Sequence, residues 1–393
     1  MESAEFAIFG AGIAGSALAY HLSQGGAGPI ALFEASTPAA GATGRAAGIV
    51  TDQLWDRWDC TVAQETRDEY AALAARHAPE AFTRNGFARF ARDPSIAEAL
   101  RAAAARLKGW GVRIEPLGRD RLSEMVPAGR FSDIVETLYG PDDAVVNPTS
   151  ITQAYLREAA DRGVNARLGA LKGHARPVDG RWEIGAFSGD LRADHLVVAA
   201  GAWSKRLLAE LGHPIPIAPY RTQAAVLRPA SGPTMFPSVH DLDTDVYARP
   251  EENGRVLVGD GTDHVEADPD RFGGQGDGAF LGHVATVFDQ RFPGWAGAEM
   301  VSSWAGVCTS TFDRHPIIGP VPGAAGLHVL TGFNGFGVMR AGGAARRLAH
   351  VLLGRAEPQA ALGPAWAGRV AGHRGPVVPQ PGFTLEAGAR PRF

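Results

Sequence analysis

The sequence predicts an α/β protein with two domains, one of them discontinuous in the chain and the other of the α+β type. Three observations carry this prediction. A glycine-rich segment follows the first apolar run, an acidic residue ends the second, and short β-type runs occupy the middle of the chain. Apolar runs that alternate with helical patterns indicate a parallel sheet, whereas short runs separated by Gly and Pro indicate an antiparallel one.

The size and composition of the chain fit two folded domains. At 393 residues it exceeds the length over which one hydrophobic core keeps growing. Hydrophobic residues make up 45% and charged residues 20%, and the mean hydropathy is -0.08, which is the balance of an ordinary globular protein. We therefore expect two packed domains and no extensive disorder.

The charge of the chain argues against a polyanionic partner. The net charge is -4, the pI is about 6.3, and Lys and Arg are scattered along the chain. A nucleic-acid groove or an anionic membrane surface needs clustered positive charge. We expect a small-molecule partner and no nucleic acid.

Cysteine usage and the N-terminal segment predict a cytoplasmic protein. Cys60 and Cys308 are far apart, so they form neither a disulfide framework nor a thiol metal site. The apolar run Phe6–Leu22 is interrupted by glycines and follows the acidic residues Glu2 and Glu5, which fits neither a signal peptide nor a membrane span. No metal site is predicted.

The N-terminal segment reads as strand, helix and strand. Residues 5–9 form a short apolar run, residues Ile13–Gln24 have helical composition, and a second apolar run, Pro29–Phe33, ends at Glu34. This order is the first unit of a parallel sheet.

The rest of the chain alternates between helical and β-type patterns. Residues 52–110 look mainly helical, and residues 149–162 form a further helix before the chain returns to the sheet. The later predicted elements are strands near 164–171, 181–186 and 194–201, a helix at 202–211, β-type runs at 223–227, 246–248 and 256–258, a helix at 276–291, a strand at 327–331 and a helix at 337–353.

A glycine motif lies between the first strand and the first helix. In Gly10-Ala-Gly12-Ile-Ala-Gly15, the first glycine allows the tight turn, the second lets a pyrophosphate approach the backbone, and the third lets helix and strand pack closely. The free amides of the helix N-terminus favour the phosphates. Glu34 is placed to accept from a ribose hydroxyl and argues against a 2'-phosphate. The motif therefore predicts a Rossmann-like dinucleotide site.

A second loop of small residues, Ala42–Ile49, favours FAD over NAD. It follows the second strand and reaches the carboxyl edge of the sheet, where α/β folds bind ligands. Backbone without bulky side chains can approach a flavin ring closely. With this assignment the FAD-binding domain comprises residues 1–80, 145–213 and 312–356, the substrate domain, built on an antiparallel sheet, comprises 81–144 and 214–311, and residues 357–393 form an irregular C-terminal tail.

The ordered set of motifs resembles the D-amino-acid oxidase family of FAD-dependent oxidoreductases, which includes glycine oxidase and sarcosine oxidase. The resemblance covers residues 5 to 355. Besides the two loops above, its carriers are Leu196–Ser204, Tyr247–Pro250 with Leu257–Gly259, Trp304–Gly306 with Thr311–Asp313, Pro316–Gly319, and Thr331–Gly337.

The resemblance implies FAD that lies across both domains. It also implies non-covalent binding, because the cysteine that attaches FAD in many of these enzymes falls on Gly306. The implied cofactor contacts are Gly10, Gly12, Ile13, Ala14, Gly15, Glu34, Ala35, Thr43, Gly44, Arg45, Ala47, Gly48, Ile49, Ala170 beside the adenine, Ala200, Gly201, Trp203, Gly335, Phe336, Gly337, Val338 and Met339.

The resemblance also implies oxidation of the C–N bond of a D-amino acid, glycine, an N-methyl amino acid or another small amine. Hydride passes to flavin N5, the imine product hydrolyses, and O2 or a carrier accepts the electrons. Tyr247 matches a tyrosine that hydrogen-bonds substrate carboxylate, and Arg340 is the expected carboxylate clamp. Cys308 stands where glycine oxidase has a carboxylate-binding arginine, and Asn334 is a further substrate-binding residue.

Several other side chains are weaker candidates. Arg45 and Arg249 offer alternative positive charges, and His240 and His315 offer proton transfer. Asp313 is expected to order its turn.

Three other functions remain open from the sequence. A flavin monooxygenase shares the glycine motif and would use Val258–Gly261 as a second cofactor element, but the long segment after it fits that layout poorly. A non-catalytic flavoprotein that binds a partner would share the cofactor site. A nicotinamide dehydrogenase would share the dinucleotide motif.

Overall fold

The computed structural model describes residues 2–169, 171–186, 189–231, 236–260 and 266–377. The strands, in chain order, are β1 (Glu2–Phe9), β2 (Ile30–Glu34), β3 (Ile49–Val50), β4 (Phe82–Arg84), β5 (Phe87–Ala91), β6 (Glu115–Pro116), β7 (Glu136–Gly140), β8 (Ala144–Val146), β9 (Asn165–Leu168), β10 (Leu171–Val178), β11 (Arg181–Ala186), β12 (Leu191–Val198), β13 (Ala218–Arg228), β14 (Ser238–Asp241), β15 (Val246–Glu251), β16 (Arg255–Gly259), β17 (Glu299–Ser310), β18 (Ile317–Pro320) and β19 (Leu327–Thr331).

The α-helices are α1 (Ile13–Gln24), α2 (Arg57–His77), α3 (Pro94–Gly109), α4 (Arg119–Met125), α5 (Pro148–Ala160), α6 (Ser204–Glu210), α7 (Gly278–Arg291), α8 (Gly337–Leu352) and α9 (Pro358–Leu362). Short 3-10 turns span Thr43–Arg45, Pro79–Ala81, Gly201–Trp203, Glu252–Gly254, Pro293–Trp295, Gly363–Ala365 and Ala367–Val370.

The first sheet has a parallel centre. β1 pairs in parallel with β2 and β12, and the parallel pairing continues to β9 on one side and β19 on the other. β10, β11 and β18 join by antiparallel pairing. Because parallel strands point the same way, the loops after β1, β2, β12 and β19 meet at one edge. The predicted α/β fold class is confirmed.

Helices cover the first sheet because its central strands are apolar on both faces. Phe6 and Ile8 of β1 pack with α1, α5 and α8 on one face, whereas Ala7 and Phe9 pack with Leu208 of α6 on the other. Small residues such as Ala17 let α1 and α8 come close.

The second sheet has the strand order β17-β13-β16-β15-β14-β5-β7-β6. Its pairs are antiparallel, as predicted, except that β14 and β5 are parallel. These two strands lie far apart in sequence and no hairpin joins them, so their relative direction was open. One face packs on α7 through Phe280, Val284 and Phe288. The opposite face turns toward the loops of the first sheet.

The predicted domain boundaries remain a proposal. The first sheet takes its strands from residues 2–34, 165–198 and 317–331, and the second takes them from 87–140 and 218–310. A small third sheet has the strand order β3-β8-β4, and its strand β3 begins where the 42–49 loop ends.

The prediction of an irregular surface tail from residue 357 is wrong for residues 358–370. Pro358 begins helix α9, and Leu362 is fully buried against the first sheet. Arg369 forms an ion pair with Asp313, with 2.7 Å between Nε and Oδ2. The high Pro and Gly content suggested a loop, but a few apolar residues bury enough surface to fix the segment. Residues 378–393 of the predicted tail lie outside the described residues.

Among the described helices, none combines the length and the apolar character that crossing a bilayer requires.

Candidate functional site

The glycine turn between β1 and α1 has the geometry that the motif predicts. Gly10 has a φ of +106°, and a Cβ there would lie 2.6 Å from the carbonyl oxygen of Ala199. A Cβ on Gly15 would overlap the carbonyl oxygen of Gly10. Both positions therefore exclude any side chain, which fixes the close packing of α1 on the sheet.

The N-terminus of α1 is open toward the site. Gly12 precedes the helix, offers no side-chain cap, and a Cβ there would have Thr43 Oγ1, at 3.2 Å, as its single close neighbour among the described residues. Ile13 donates its backbone N–H to Thr43 Oγ1 at 3.1 Å. The other amides of the first turn, including that of Ala14, lack intrahelical acceptors and lie at the positive end of the helix. This arrangement suits a pyrophosphate.

Glu34 lies at the end of β2, directly beside the glycine turn. Its Oε2 accepts from the amide of Ala11 at 2.9 Å and its Oε1 accepts from the amide of Ser36 at 3.0 Å. These bonds fix the half-buried carboxylate but leave lone pairs, because each oxygen accepts two bonds. A ribose hydroxyl can therefore donate to Glu34. Ala35 is exposed at the same edge.

The small-residue loop is held by close backbone contacts. A Cβ on Gly44 would lie 2.6 Å from the carbonyl oxygen of Ala39. Gly48 has a φ of +72°, and a Cβ there would overlap the carbonyl oxygen of Val146. Gly44 is thus needed for the close contact with Ala39 within the loop, and Gly48 is needed for the loop to pass next to β8, after which Ile49 starts β3.

Two side chains of the second sheet bind this loop. Trp304 donates its indole N–H to the carbonyl oxygen of Arg45 at 2.9 Å, and Arg249 donates from Nε to the carbonyl oxygen of Ala47. Arg45 itself donates to the carbonyl oxygens of Ala40 and Gly41. Arg45 and Arg249 are therefore committed to the backbone, which argues against their use as substrate anchors.

The loop after β12 leaves open space at the same edge. Gly201 has a φ of +52°, and a Cβ there would have no described atom within 4 Å, whereas Ala200 is half-buried. The ring of Trp203 lies next to Gly41, and its Nε1 donates to Asp270 at 2.7 Å. Ala170, the predicted adenine neighbour, lies outside the described residues.

The loop after β19 brings a second helix N-terminus to the site. α8 begins at Gly337 without a side-chain cap. Gly335 has a φ of +80°, and a Cβ there would lie 2.9 Å from the hydroxyl of Tyr220. The side chains of Val338 and Met339 pack into the hydrophobic cores, so their predicted cofactor contacts would be made by the backbone.

These observations fit FAD as the cofactor. The four loops lie at one edge of the parallel sheet, and two helices without side-chain N-caps begin there. A side chain at Gly12 or Gly201 would project into the open space at this edge. Glu34 stands where the ribose next to the pyrophosphate is expected.

The second sheet presents hydroxyl and thiol groups near this edge. Tyr220 of β13 lies opposite Cys308 of β17, and both Tyr220 and Thr222 hydrogen-bond the Cys308 thiol. Burial raises the pKa of Cys308 to about 11, although these hydrogen bonds oppose the rise. The thiol therefore stays protonated at neutral pH and is a poor nucleophile. Sequence reasoning missed Tyr220 and Thr222, whose alternation along β13 was the available signal.

Tyr247 lies on the same face as these groups. Its ring covers Gly259 of the neighbouring strand β16, where a Cβ would overlap the ring. Burial raises the pKa of Tyr247. Its hydroxyl is therefore a neutral hydrogen-bond donor across the physiological range.

Arg340, the predicted carboxylate clamp, is fully buried and committed elsewhere. Its Nη1 forms an ion pair with Asp59 Oδ1, and its Nη2 donates to the carbonyl oxygen of Phe333 at 2.6 Å. The guanidinium also lies 5.2 Å from the ring centre of Trp55 and 5.8 Å from that of Phe336. No guanidinium surface is exposed to a substrate, so we correct this prediction and expect a structural role for Arg340.

Asn334 also differs from its prediction as a substrate ligand. Its φ is +55°, its Oδ1 accepts from the amide of Thr311 at 2.8 Å, and its Nδ2 donates to the carbonyl oxygen of Gly332 at 2.6 Å. The amide side chain is used to hold the turn after β19 against the end of β17. Its positive φ suits Asn, which tolerates the left-handed region.

A row of charged side chains leads from Arg340 to the surface. Asp59 Oδ2 lies 3.3 Å from His315 Nδ1, and Asp56 Oδ2 lies 3.2 Å from His315 Nε2. Burial opposes ionisation of Asp59, but Arg340 and His315 outweigh it and hold its pKa below the usual range. Burial, together with Asp59, raises the pKa of Asp56 to about 6.

Asp56, Asp59 and His315 each offer a ligand atom, and these atoms are close enough to one another to bind one metal ion. However, the two ring nitrogens point to different carboxylates, and the Arg340 guanidinium is the immediate neighbour of Asp59. This geometry suits a shared proton better than a second cation. Sequence reasoning singled out His315 but missed Asp56 and Asp59.

Two further sequence predictions concern nearby polar residues. Asp313 accepts from the amide of His315 at 3.1 Å, which confirms that it orders its turn. His240 is fully buried and lies 2.8 Å from Asp245 Oδ1, on the same face of the sheet as Tyr247.

Comparison with known proteins identifies relatives that match most of the chain. A family model described as FAD dependent oxidoreductase matches residues 5–351. The chain is 26% identical to human mitochondrial dimethylglycine dehydrogenase over 395 residues, covering 90% of this chain and 43% of the relative. It is 28% identical to 4-methylaminobutanoate oxidase (formaldehyde-forming) of Paenarthrobacter nicotinovorans over 355 residues, covering 87% of this chain and 43% of the relative.

The solved structures show the same fold. L-proline dehydrogenase from P. horikoshii superposes with a TM-score of 0.84 at 21% identity, covering 93% of this chain and 96% of that one. The chain spans less than half the length of the two curated relatives above.

We expect Gly12→Val to abolish FAD binding. The branched side chain would fill the space at the N-terminus of α1 where the pyrophosphate must approach. The FAD content of the purified variant measures the effect. Gly282→Val, in an exposed position of α7 where a Cβ meets no described atom, is the control and should keep its FAD. Full flavin occupancy in Gly12→Val would contradict the proposed site.

We expect Arg340→Met to lower the free energy of unfolding by about 3–5 kcal/mol, because it leaves Asp59 charged, buried and without its main partner. Denaturant unfolding measures this change. Arg346→Met, which breaks a partly exposed ion pair with Glu65, should cost about 1 kcal/mol or less. Adding Asp59→Asn to Arg340→Met should recover most of the loss. An unchanged stability together with a raised KM would instead restore the clamp role.

Proposed function

The chain belongs to the family of FAD-dependent oxidoreductases, and from this premise we propose that it oxidises the C–N bond of a small amine or amino acid. We propose N-methylated amino acids as the favoured substrate class. The observation that carries the proposal is the uncharged face of Tyr220, Thr222 and Cys308, which lies beside the turn at Gly335.

The named relatives support this substrate class. The names of both describe N-methylated compounds, dimethylglycine and 4-methylaminobutanoate. Those proteins are more than twice as long as the matched segment, so we propose a similar activity for this chain and do not infer it from the match alone.

Each part of the site has a task in this proposal. When bound, FAD supplies the acceptor for the hydride that leaves the substrate carbon next to nitrogen. The first turn of α1 holds the pyrophosphate, and Glu34 accepts from the ribose. The start of α8 brings the positive end of a helix to the flavin side of the site, which favours negative charge there. Trp304 and Arg249 hold the Ala42–Ile49 loop against the second sheet.

We propose that FAD is held without a covalent bond. Gly306 offers no side chain, and the nearby Cys308 thiol is kept protonated by its burial. Attachment through sulfur needs a thiolate, so this environment works against it.

The substrate anchor must lie elsewhere than Arg340. We propose that Tyr247 donates a hydrogen bond to the substrate carboxylate and that Arg89 supplies positive charge. Tyr247 pairs with His240, and His240 pairs with Arg89, so the three side chains lie on one face of the second sheet. Burial lowers the pKa of Arg89 to about 9. A cation in such a desolvated position gains stability when an anion approaches.

An anaerobic flavin-bleaching screen tests the function. We expect a yellow protein whose FAD is released by acid, and bleaching by N-methyl amino acids faster than by D-amino acids, glycine or simple amines. Flavin that stays on the denatured chain would contradict non-covalent binding. A flavin that no amine bleaches would favour the non-catalytic alternative, and consumption of NADPH would favour a monooxygenase.

We expect Tyr247→Phe to raise KM for an amino-acid substrate about tenfold, because a hydrogen bond to a carboxylate contributes about 1.5–3 kcal/mol. kcat should change much less, since the bond is made in the ground state as well as in the transition state. Steady-state kinetics with the best substrate of the screen measures both. Tyr139→Phe, on β7 of the same sheet, is the control. Equal KM values for Tyr247→Phe and the unmodified protein would remove Tyr247 from the anchor.

A further inference from the structure

The row Asp56, His315, Asp59 and Arg340 leads from half-exposed to fully buried positions. The side chain of Asp56 is 28% exposed and that of His315 is 17% exposed, whereas Asp59 and Arg340 are 0% exposed. Asp56 is the N-cap of α2, Asp59 lies in its first turn, His315 lies in the turn before β18, and Arg340 lies on α8. The row therefore joins three elements that are distant in sequence.

Each ring nitrogen of His315 lies at ion-pair distance from a carboxylate oxygen, Nε2 at 3.2 Å from Asp56 Oδ2 and Nδ1 at 3.3 Å from Asp59 Oδ2, although Nδ1 and Asp59 Oδ2 are not aligned as a hydrogen bond. A neutral imidazole carries one N–H, so it can donate to one carboxylate only. Both contacts are favourable when one further proton is present, either on the ring or on Asp56. If that proton is lost, a nitrogen lone pair faces a carboxylate lone pair.

The inner end of the row reaches the turn that precedes α8. Arg340 donates to the carbonyl oxygen of Phe333 at 2.6 Å and stacks near the ring of Phe336. Phe336 lies between Gly335 and Gly337, whose backbone forms the predicted flavin-side contact. The position of Arg340 depends in turn on Asp59, its ion-pair partner.

We propose that His315 is a positioning residue: it shares one titrating proton with Asp56, and through Asp59 and Arg340 it fixes the FAD-binding turn Gly335–Met339. The affinity for FAD therefore falls when this proton is lost at rising pH. The proposal rests on FAD binding, which is the property of the family, and not on the identity of the substrate.

The charges around His315 give the sign of the effect. Asp56 and Asp59 face it from α2, Asp313 lies in its own turn, Arg340 lies behind Asp59, and Arg369 donates to its carbonyl oxygen at 2.7 Å. Asp313 is balanced by Arg369.

With the shared proton, Asp56, His315, Asp59 and Arg340 sum to zero charge; without it they carry one net negative charge in a buried region. The raised pKa of Asp56 agrees in sign, because a folded state that holds a proton more tightly loses stability as pH rises.

Two substitutions separate the proton from the geometry. In Asp56→Asn, the amide N–H can donate to His315 Nε2 while Nδ1–H points to Asp59, so both contacts are favourable with a neutral ring and need no further proton. Asn also keeps the N-cap of α2, where Asp56 Oδ1 accepts from the amide of Asp59 at 2.9 Å. In His315→Gln, the single side-chain NH2 group cannot reach both carboxylates, because they lie on opposite sides of the imidazole ring that it replaces.

The experiment measures the Kd of FAD by titrating apoprotein and following flavin fluorescence, from about pH 6 to about pH 9. We expect the unmodified protein to lose affinity about fivefold or more over this range. Asp56→Asn should bind FAD as tightly as the unmodified protein does at pH 6 and keep that affinity at pH 9. His315→Gln should bind about fivefold more weakly at every pH. His283→Gln, an exposed histidine of α7, should reproduce the unmodified profile.

Two results would overturn the proposal. One is a His315→Gln protein with the unmodified affinity and pH profile. The other is an Asp56→Asn protein that still loses affinity with rising pH, which tests the proposal even if His315→Gln fails to fold. Because these titrations use no substrate, their outcome is independent of the bleaching screen.

Discussion

The contact between the Gly10 carbonyl and the backbone of Gly15 is the constraint on which the site depends. It brings α1 so close to β1 that no side chain fits at Gly15, while the carbonyl oxygen of Ala199 excludes a side chain at Gly10, and the helix N-terminus opens at the carboxyl edge of the sheet. Parallel pairing of β1 with β2 and β12 places the loops after these strands at the same edge. A cofactor with a long phosphate bridge can therefore meet several loops at once.

The second sheet completes this edge instead of forming a separate unit. Trp304 and Arg249 donate to the carbonyl oxygens of Arg45 and Ala47, so the shape of the small-residue loop depends on strands that come more than 200 residues later in the chain. Tyr220 approaches the turn at Gly335 from the same sheet. We therefore expect that a change in the second sheet alters cofactor binding as well as substrate binding.

Buried charge is the most unusual feature of the interior. Arg340 and Asp59 are both fully buried, and burying two charges costs solvation free energy that their attraction and neighbouring contacts must offset. The Phe333 carbonyl oxygen, the Trp55 ring and the nearby His315 ring supply part of this compensation, whereas Arg340 Nε and Asp59 Oδ2 have no hydrogen-bond partner among the described residues. The pair thus fixes α2, the turn before β18 and α8 relative to one another. In our proposal, the proton shared by Asp56 and His315 controls this arrangement.

The sequence by itself determined the features that depend on local spacing. The glycine motif, Glu34, helix α8, the central strands of the first sheet and β13, β15 and β16 of the second follow from residues that are near one another in the chain, because turns and apolar periodicity are local properties. The strands β5, β7, β14 and β17 of the second sheet were not predicted. The tertiary structure alone decided the partners of charged side chains. Arg340 follows the flavin-side turn and looked like a carboxylate clamp, yet it pairs with Asp59, 281 residues away. Spacing cannot predict such a pair, because the free energy of a buried charge depends on which elements pack around it.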